Sequence, residues 1–282
     1  MAITAASTPA LALLGASDRP MPVHSIYASG VNLRCGDYLI HASTEPHGGV
    51  SSLGVSARDV ELLCREPAWQ WTAEGLVGLD GRRVIRLDDA LQQYPTSPPP
   101  SPALSAATPG RLERARTRTG QHSWFDSGPG RGVGLPRLRK AICALVEHPP
   151  DGLSHLVGII GLGTGLTPSA DDALVGALCL ISAAGTLPGE LVEDLKGWLG
   201  AEGVASTTDV SLSYLRLALE GEFSAPINRA VACLSDSSSQ AELEKSVRGL
   251  GAVGATSGMD TALGIQITCE LLSLPTNHPD LQ

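Results

Sequence analysis

Apolar positions recur along this chain with two different periods. Between residues 24 and 94 they come in short, partly alternating runs. SIYASGVNL (25–33) and DYLIHA (37–42) predict strands separated by a turn at Arg34–Gly36. LVGL (76–79), Asp80-Gly81 and RRVIRL (82–87) predict a hairpin, because Asp-Gly supplies the positive φ angles of a two-residue type I′ turn. SARDVELLCREP, between these pairs, has helical spacing, starts at Ser56 and stops before Pro67. From about residue 135 the apolar residues recur every three to four positions. LPRLRKAICALVEH predicts a helix with one apolar face, and SHLVGII (154–160) a short buried strand or helix end. ADDALVGALCLISAAG runs to a C-capping Gly185, and further helices are expected near 189–199, 209–220, 226–234, 240–250 and 258–273. Pro226 suits a first helical turn, where a missing N–H costs nothing.

These periods predict an α+β chain: a flexible tail over 1–23, a β-rich domain over 24–94 and a helical domain over 111–282. PTSPPPSPALSAATPG (95–110), with six prolines, is expected as a linker between them. The RLERARTRTG that follows is read as a solvated basic strip, although an anion could order it. The tail's apolar run is short, interrupted and without a basic leader, so it is not read as a signal peptide. No run reaches the roughly 18 apolar residues of a membrane span, and a cytoplasmic location is expected.

Composition narrows the function classes. With 43% hydrophobic and 17% charged residues the chain can bury a sizeable core. A net charge of −9 argues against nonspecific binding of nucleic acid or of an anionic membrane, and only 4% aromatic residues leave few base-stacking platforms. Cys35, Cys64, Cys143, Cys179, Cys233 and Cys269 form no C-x-x-C pair, so they read as small buried hydrophobes of a reducing compartment rather than zinc ligands.

The chemistry concentrates in GLGTGLTPSADD (161–172), a glycine-rich loop entering an apolar helix. Its pattern Ser169-x-x-Asp172-x-x-x-Gly176 recurs as Ser257-x-x-Asp260-x-x-x-Gly264 inside GAVGATSGMDTALGIQ. Each Ser follows a Thr (Thr167, Thr256) and a Gly (Gly165, Gly254). One reading is purely structural: capping boxes in which Ser bonds a backbone N–H and the acid complements the helix dipole, with Gly allowing close helix packing. That leaves Gly161, Gly163, Gly165, Pro168 and the second carboxylate, Asp171, without a purpose. The functional reading places two helix starts around one pocket. Gly163, Gly165, Thr167, Ser169, Thr256 and Ser257 would hold a phosphate or carboxylate. Asp171, Asp172 and Asp260 are the candidate catalytic groups; they would orient a nucleophile, bond an amide nitrogen, or bind Mg²⁺, the one candidate cofactor.

The two motifs resemble the AllH family, a subunit associated with oxamate carbamoyltransferase, whose pattern is roughly G-x-G-x-G-L-T-P-S-G-D-D and later T/S-S-G-x-D. The resemblance extends to SIYASGVNL, GGVSSLGV and TTDVSLSYLRLALEGEF, and so covers most of 24–270 apart from 95–110. Ala170 stands where the family commonly has Gly, and Met259 where an aromatic is common. The resemblance implies carbamoyl transfer between oxalurate and phosphate in allantoin and purine nitrogen catabolism. It also implies partner subunits and a small substrate bearing carboxylate and ureido groups. Two other classes stay open: a non-catalytic subunit that binds a small carboxylate or phosphate, and a Mg²⁺-dependent hydrolase.

Other signals are weaker. Ser51 and Ser52, in the GGVSSLG shared with the family, are candidate substrate contacts. His41 and His47 lack a third metal ligand, and His122, His148, His155 and His278 show no partner pattern. Asp209 in TTDVS could reach the pocket but fits a plain helix start. Arg116 and Arg118 weakly resemble the phosphate loop of ordinary carbamoyltransferases, in a context that lacks the preceding buried strand.

Overall fold

A computed structural model describes residues 2–44, 48–147 and 149–273; His47, His148 and His278 fall outside these. The chain divides into two compact units, Met1–Ser97 with Glu222–Ala225, and Pro98–Gly221 with Pro226–Gln282. One is a β-barrel and the other is helical, the α+β organisation that the two periods predict.

The barrel unit runs β1 (Ala2–Ser7), α1 (Thr8–Ala16), β2 (Met21–Ile26), β3 (Gly30–Cys35), β4 (Tyr38–Ser43), β5 (Ser52–Gly54), α2 (Ala57–Leu63), β6 (Ala68–Thr72), β7 (Gly75–Gly78) and β8 (Val84–Tyr94). The strands close in the order β1-β5-β4-β3-β2-β6-β7-β8, with β1 parallel to β8. Alternation fills the interior: Val31, Leu33 and Cys35 of β3 meet Ile40 and Ala42 of β4, Leu53, Trp69, Leu76 and Ile85. Helices α1 and α2 add Ala10, Leu14, Val60 and Leu63 to the same core.

Three expectations are corrected here. Residues 2–16 are no tail. Ile3 and Ala6 are fully buried in β1, the strand that closes the barrel, and Ser7 caps α1 by accepting from Ala10 N at 3.3 Å. Small alanines give β1 too little hydrophobic contrast to register as a strand. The β7–β8 hairpin has a four-residue loop, Leu79–Arg82, closed by Gly78 N donating to Arg83 O at 2.8 Å. Asp80 Oδ1 takes the Arg82 N–H at 2.9 Å, the donor that a two-residue turn would aim at Leu79. Gly81 does supply the expected positive φ, 70°.

The helical unit contains α3 (Thr108–Thr119), a 3₁₀ turn at Trp124–Asp126, a π turn at Gly130–Gly134, α4 (Leu135–Glu147), α5 (Gly152–Val157), α6 (Ser169–Ala184), α7 (Gly189–Ala201), α8 (Gly203–Ser206), α9 (Asp209–Leu219), α10 (Ala225–Ala232), α11 (Gln240–Gly251) and α12 (Ser257–Leu272). The third correction is that α3 starts inside the stretch read as linker, with Pro109 in its first turn. Its basic strip is only half solvated: Arg114 and Arg118 are exposed, but Arg111 and Arg116 are not. Arg111 pairs with Asp236 at 3.5 Å, and the Arg116 side chain is only 11% exposed.

The centre of this unit is the pair α6 and α12, both buried nearly all round. A Cβ at Gly176 would stand 2.2 Å from Thr261 O, and one at Gly264 would stand 1.8 Å from Ala173 O. Each motif's glycine therefore packs on the residue after the other motif's aspartate. The crossing is internally two-fold, and it brings the two helix starts together.

Candidate functional site

The first correction at the site concerns the caps. Ser169 and Ser257 are the first residues inside their helices, preceded by Pro168 and Thr256, and neither helix start has a side-chain capping bond. The backbone does that work. Ala170 N donates to Leu162 O at 2.9 Å, and Asp171 N donates to Pro168 O at 2.9 Å. For this the loop must fold back tightly. Gly163, at φ 126°, would place a Cβ 2.4 Å from Ser169 N, so only glycine fits. Both serine hydroxyls are thereby released for other contacts.

The three aspartates part company. Both Asp171 oxygens are engaged: Oδ1 accepts from Gly161 N at 2.8 Å, and Oδ2 accepts from Ser211 Oγ at 2.6 Å and from Thr207 Oγ1. Burial raises its pKa, and these three donors work against the rise. Asp171 thus clamps the glycine loop to α9. In TTDVS it is Thr207 and Ser211 that reach this carboxylate, while Thr208 caps α9 and Asp209 sits in the first turn.

Asp172 and Asp260 are different. Asp172 is 9% exposed and Asp260 fully buried, and Oδ2 of each has no hydrogen-bond partner among the described residues. Burial pushes Asp172 up to about 7, against the nearby hydroxyls of Ser257 and Thr167, with the charge of Asp260 adding to the rise. Burial also raises Asp260, opposed by Ser123, Ser169, Thr256 and the Trp124 backbone. Each carboxylate is therefore influenced by the serine of the other motif. Thr167 Oγ1 and Ser257 Oγ, 2.7 Å apart, join the two loops directly. The Ser169 hydroxyl, 1% exposed, stands beside Asp260 without completing a hydrogen bond.

This cluster unites Asp172, Asp260, Thr167, Ser169, Thr256 and Ser257. Gly163 and Gly165 shape the exposed loop above, both with positive φ. Ser51 and Ser52 belong to the barrel unit. There Ser52 Oγ bonds Tyr94 Oη, Ser52 N donates to Ser7 Oγ at 3.0 Å, and Ser51 is 4% exposed. Among the described residues no group of three or more His, Cys, Asp or Glu is placed to hold a metal ion. All six cysteines are free thiols.

The sequence reading missed the support of Asp260. Ser123 Oγ donates to Asp260 Oδ1 at 2.5 Å, and Trp124 N donates to the same oxygen at 2.9 Å. Ser123 and Asp126 form a true capping box, Ser123 N donating to Asp126 Oδ2 at 2.8 Å and Phe125 N to Ser123 Oγ at 3.1 Å. The signal was present, since Ser123-x-x-Asp126 repeats the spacing of the two motifs, but no glycine loop or apolar helix accompanies it.

Chemically, the arrangement offers four hydroxyls and two carboxyl groups with bare oxygens. The carboxyl oxygens can accept from N–H donors and the hydroxyls can donate to a small anion, while the first-turn N–H groups are already engaged by backbone carbonyls. No solved structure matches the chain. Residues 159–269, the segment bearing both Ser-x-x-Asp helix starts, match the family model described as oxamate carbamoyltransferase subunit AllH, the family that the two motifs resemble.

Proposed function

We propose that this chain is the AllH-type subunit of an oxamate carbamoyltransferase, working with partner subunits in allantoin and purine nitrogen catabolism. The reaction transfers a carbamoyl group from oxalurate to phosphate. The bond between the carbamoyl carbon and the oxamate nitrogen breaks, a bond from that carbon to a phosphate oxygen forms, and the nitrogen takes a proton. The observation that carries the reading is the pair of bare, buried carboxyl oxygens on Asp172 and Asp260 at adjoining helix starts. A buried carboxyl oxygen without a partner is costly, and the N–H groups of a ureido substrate would relieve it. The hydroxyls of Thr167, Ser169, Thr256 and Ser257 and the loop at Gly163–Gly165 would hold the anionic end.

The test is to assay the chain alone and with its partner subunits, using oxalurate with phosphate and, in reverse, oxamate with carbamoyl phosphate. Turnover that Asp172→Asn and Asp260→Asn each reduce supports the reading. Undiminished turnover in both variants removes it. A second reading, a subunit that binds a small carboxylate without chemistry of its own, is favoured by the complete burial of Asp260. It is separated by oxamate binding that persists where turnover is absent from every assembly containing the chain.

A further inference from the structure

Arg116, whose side chain is 11% exposed, reaches both the helix that carries Asp260 and the turn that supports it, and the reading above gives it no part. Its Nη1 donates to Gln266 Oε1 of α12 at 2.6 Å, and its Nη2 lies 3.6 Å from Asp126 Oδ1. Its Nε is buried without a partner among the described residues. Asp126 in turn accepts from Ser123 N, and Ser123 and Trp124 supply both hydrogen bonds to Asp260 Oδ1. The guanidinium therefore ties the Ser123–Asp126 turn to α12, the helix that carries Asp260. Gly130 locks the turn from its other side, where a Cβ would stand 2.2 Å from Trp124 O. With Oδ1 held by two donors, the bare Oδ2 has a fixed direction. Arg116, Ser123, Trp124, Asp126 and Gly130 lie outside residues 159–269, while Gln266 lies inside them.

We infer that Arg116 is a positioning residue: through Asp126 and the Ser123–Trp124 donors it orients Asp260 so that its free oxygen is presented to the ligand. A planar guanidinium suits this task, because it reaches Gln266 and Asp126 from two nitrogens at once, which a lysine ammonium on a single stem does not reproduce. This deepens the role proposed for Asp260 and rests on that reading only for its catalytic consequence.

The experiment has two arms on the full-length chain. In the first, hydrogen exchange is followed at the Trp124 amide in the wild type, Arg116→Gln, Arg116→Lys and Asp126→Asn. Arg116→Gln and Asp126→Asn should speed exchange at Trp124 by tenfold or more while amides in the middle of α6 and α12 keep their protection. Arg116→Lys should fall between wild type and Arg116→Gln. Unchanged exchange at Trp124, or an equal acceleration throughout α12, overturns the assignment. In the second, the assembled enzyme is assayed with oxamate and carbamoyl phosphate. Arg116→Gln should lower kcat in the manner of Asp260→Asn with KM little changed, and Arg116→Lys should restore part of it. A loss confined to KM overturns the positioning role. A wild-type assembly with no transferase activity would instead sink the proposed reaction, leaving the exchange arm to decide the role of Arg116.

Discussion

The crossing of α6 and α12 makes Gly264→Ala the sharpest structural test. The new Cβ would stand 1.8 Å from Ala173 O, whereas ordinary contact begins at 3.4 Å, so the helices must separate locally by about 1.6 Å. Ala173 O is backbone on the opposing helix, which no side-chain rotation can move aside. Overpacking of this kind costs about 1–3 kcal/mol, and a clash with backbone belongs at the upper end or beyond it. Alanine's helix propensity opposes this by roughly 1 kcal/mol. The net expectation is a loss of about 2 kcal/mol, or a Tm lowered by roughly 4–8 °C for a unit of this size. The matched control is Gly197→Ala in α7, where a Cβ meets nothing within 4 Å. It should raise Tm slightly, through propensity alone. Thermal unfolding by circular dichroism reads both. If Gly264→Ala also raises Tm, the helices do not cross as described and the juxtaposition of Asp172 with Asp260 goes with them.

Other consequences follow from the carboxylates. Asp172 is an acid raised from 3.8 to about 7, so the folded state binds a proton that the unfolded state releases. Its contribution is present below the unfolded value and lost as pH rises from about 4 to about 7. Asp172→Asn should therefore stabilise the chain more at pH 8 than at pH 4, by on the order of 1–4 kcal/mol in the difference; a gain independent of pH would contradict this. Ser211→Ala removes a 2.6 Å donor from buried Asp171 and should cost about 1–2 kcal/mol. The Gly161–Gly165 loop should then be cut sooner in limited proteolysis, and an unchanged cleavage rate would mean that Asp171 is no clamp. In the barrel, Arg83→Ala strips the ion-pair partner from Glu66, which is 8% exposed. It should cost about 1–3 kcal/mol, read as a lower denaturant midpoint, with Glu66→Gln recovering part of the loss in that background. Chelation with excess EDTA should leave transferase turnover intact, and its abolition, reversed by Mg²⁺, would favour the metal-dependent reading.

What could be read from sequence divides along a physical line. The ends of α6, α7, α9, α11 and α12 fall within two residues of their expected places, because amphipathic periodicity, Gly185 and the proline and serine starts all act locally. The glycines of the two motifs spoke for close approach, and the crossing at Ala173 and Thr261 is where that approach occurs. The serines misled. Ser-x-x-Asp describes a cap only when the first-turn N–H groups lack other acceptors, and here Leu162 O and Pro168 O take them. The same spacing at Ser123–Asp126 is a real capping box, and its outward donors are the ones that reach Asp260 across 137 and 136 residues of sequence. Such long-range support leaves no periodic trace. Arg116 is the clearest instance: it sits in a run of arginines and threonines, and nothing local foretold that this guanidinium, alone of the run, bonds a residue 150 positions away on α12. The motif that names the site and the residues that aim it are thus written in different parts of the chain. Only the motif has a pattern that sequence reading can recognise, and variants at Arg116 and Ser123 are consequently as informative about the site as those at the two aspartates.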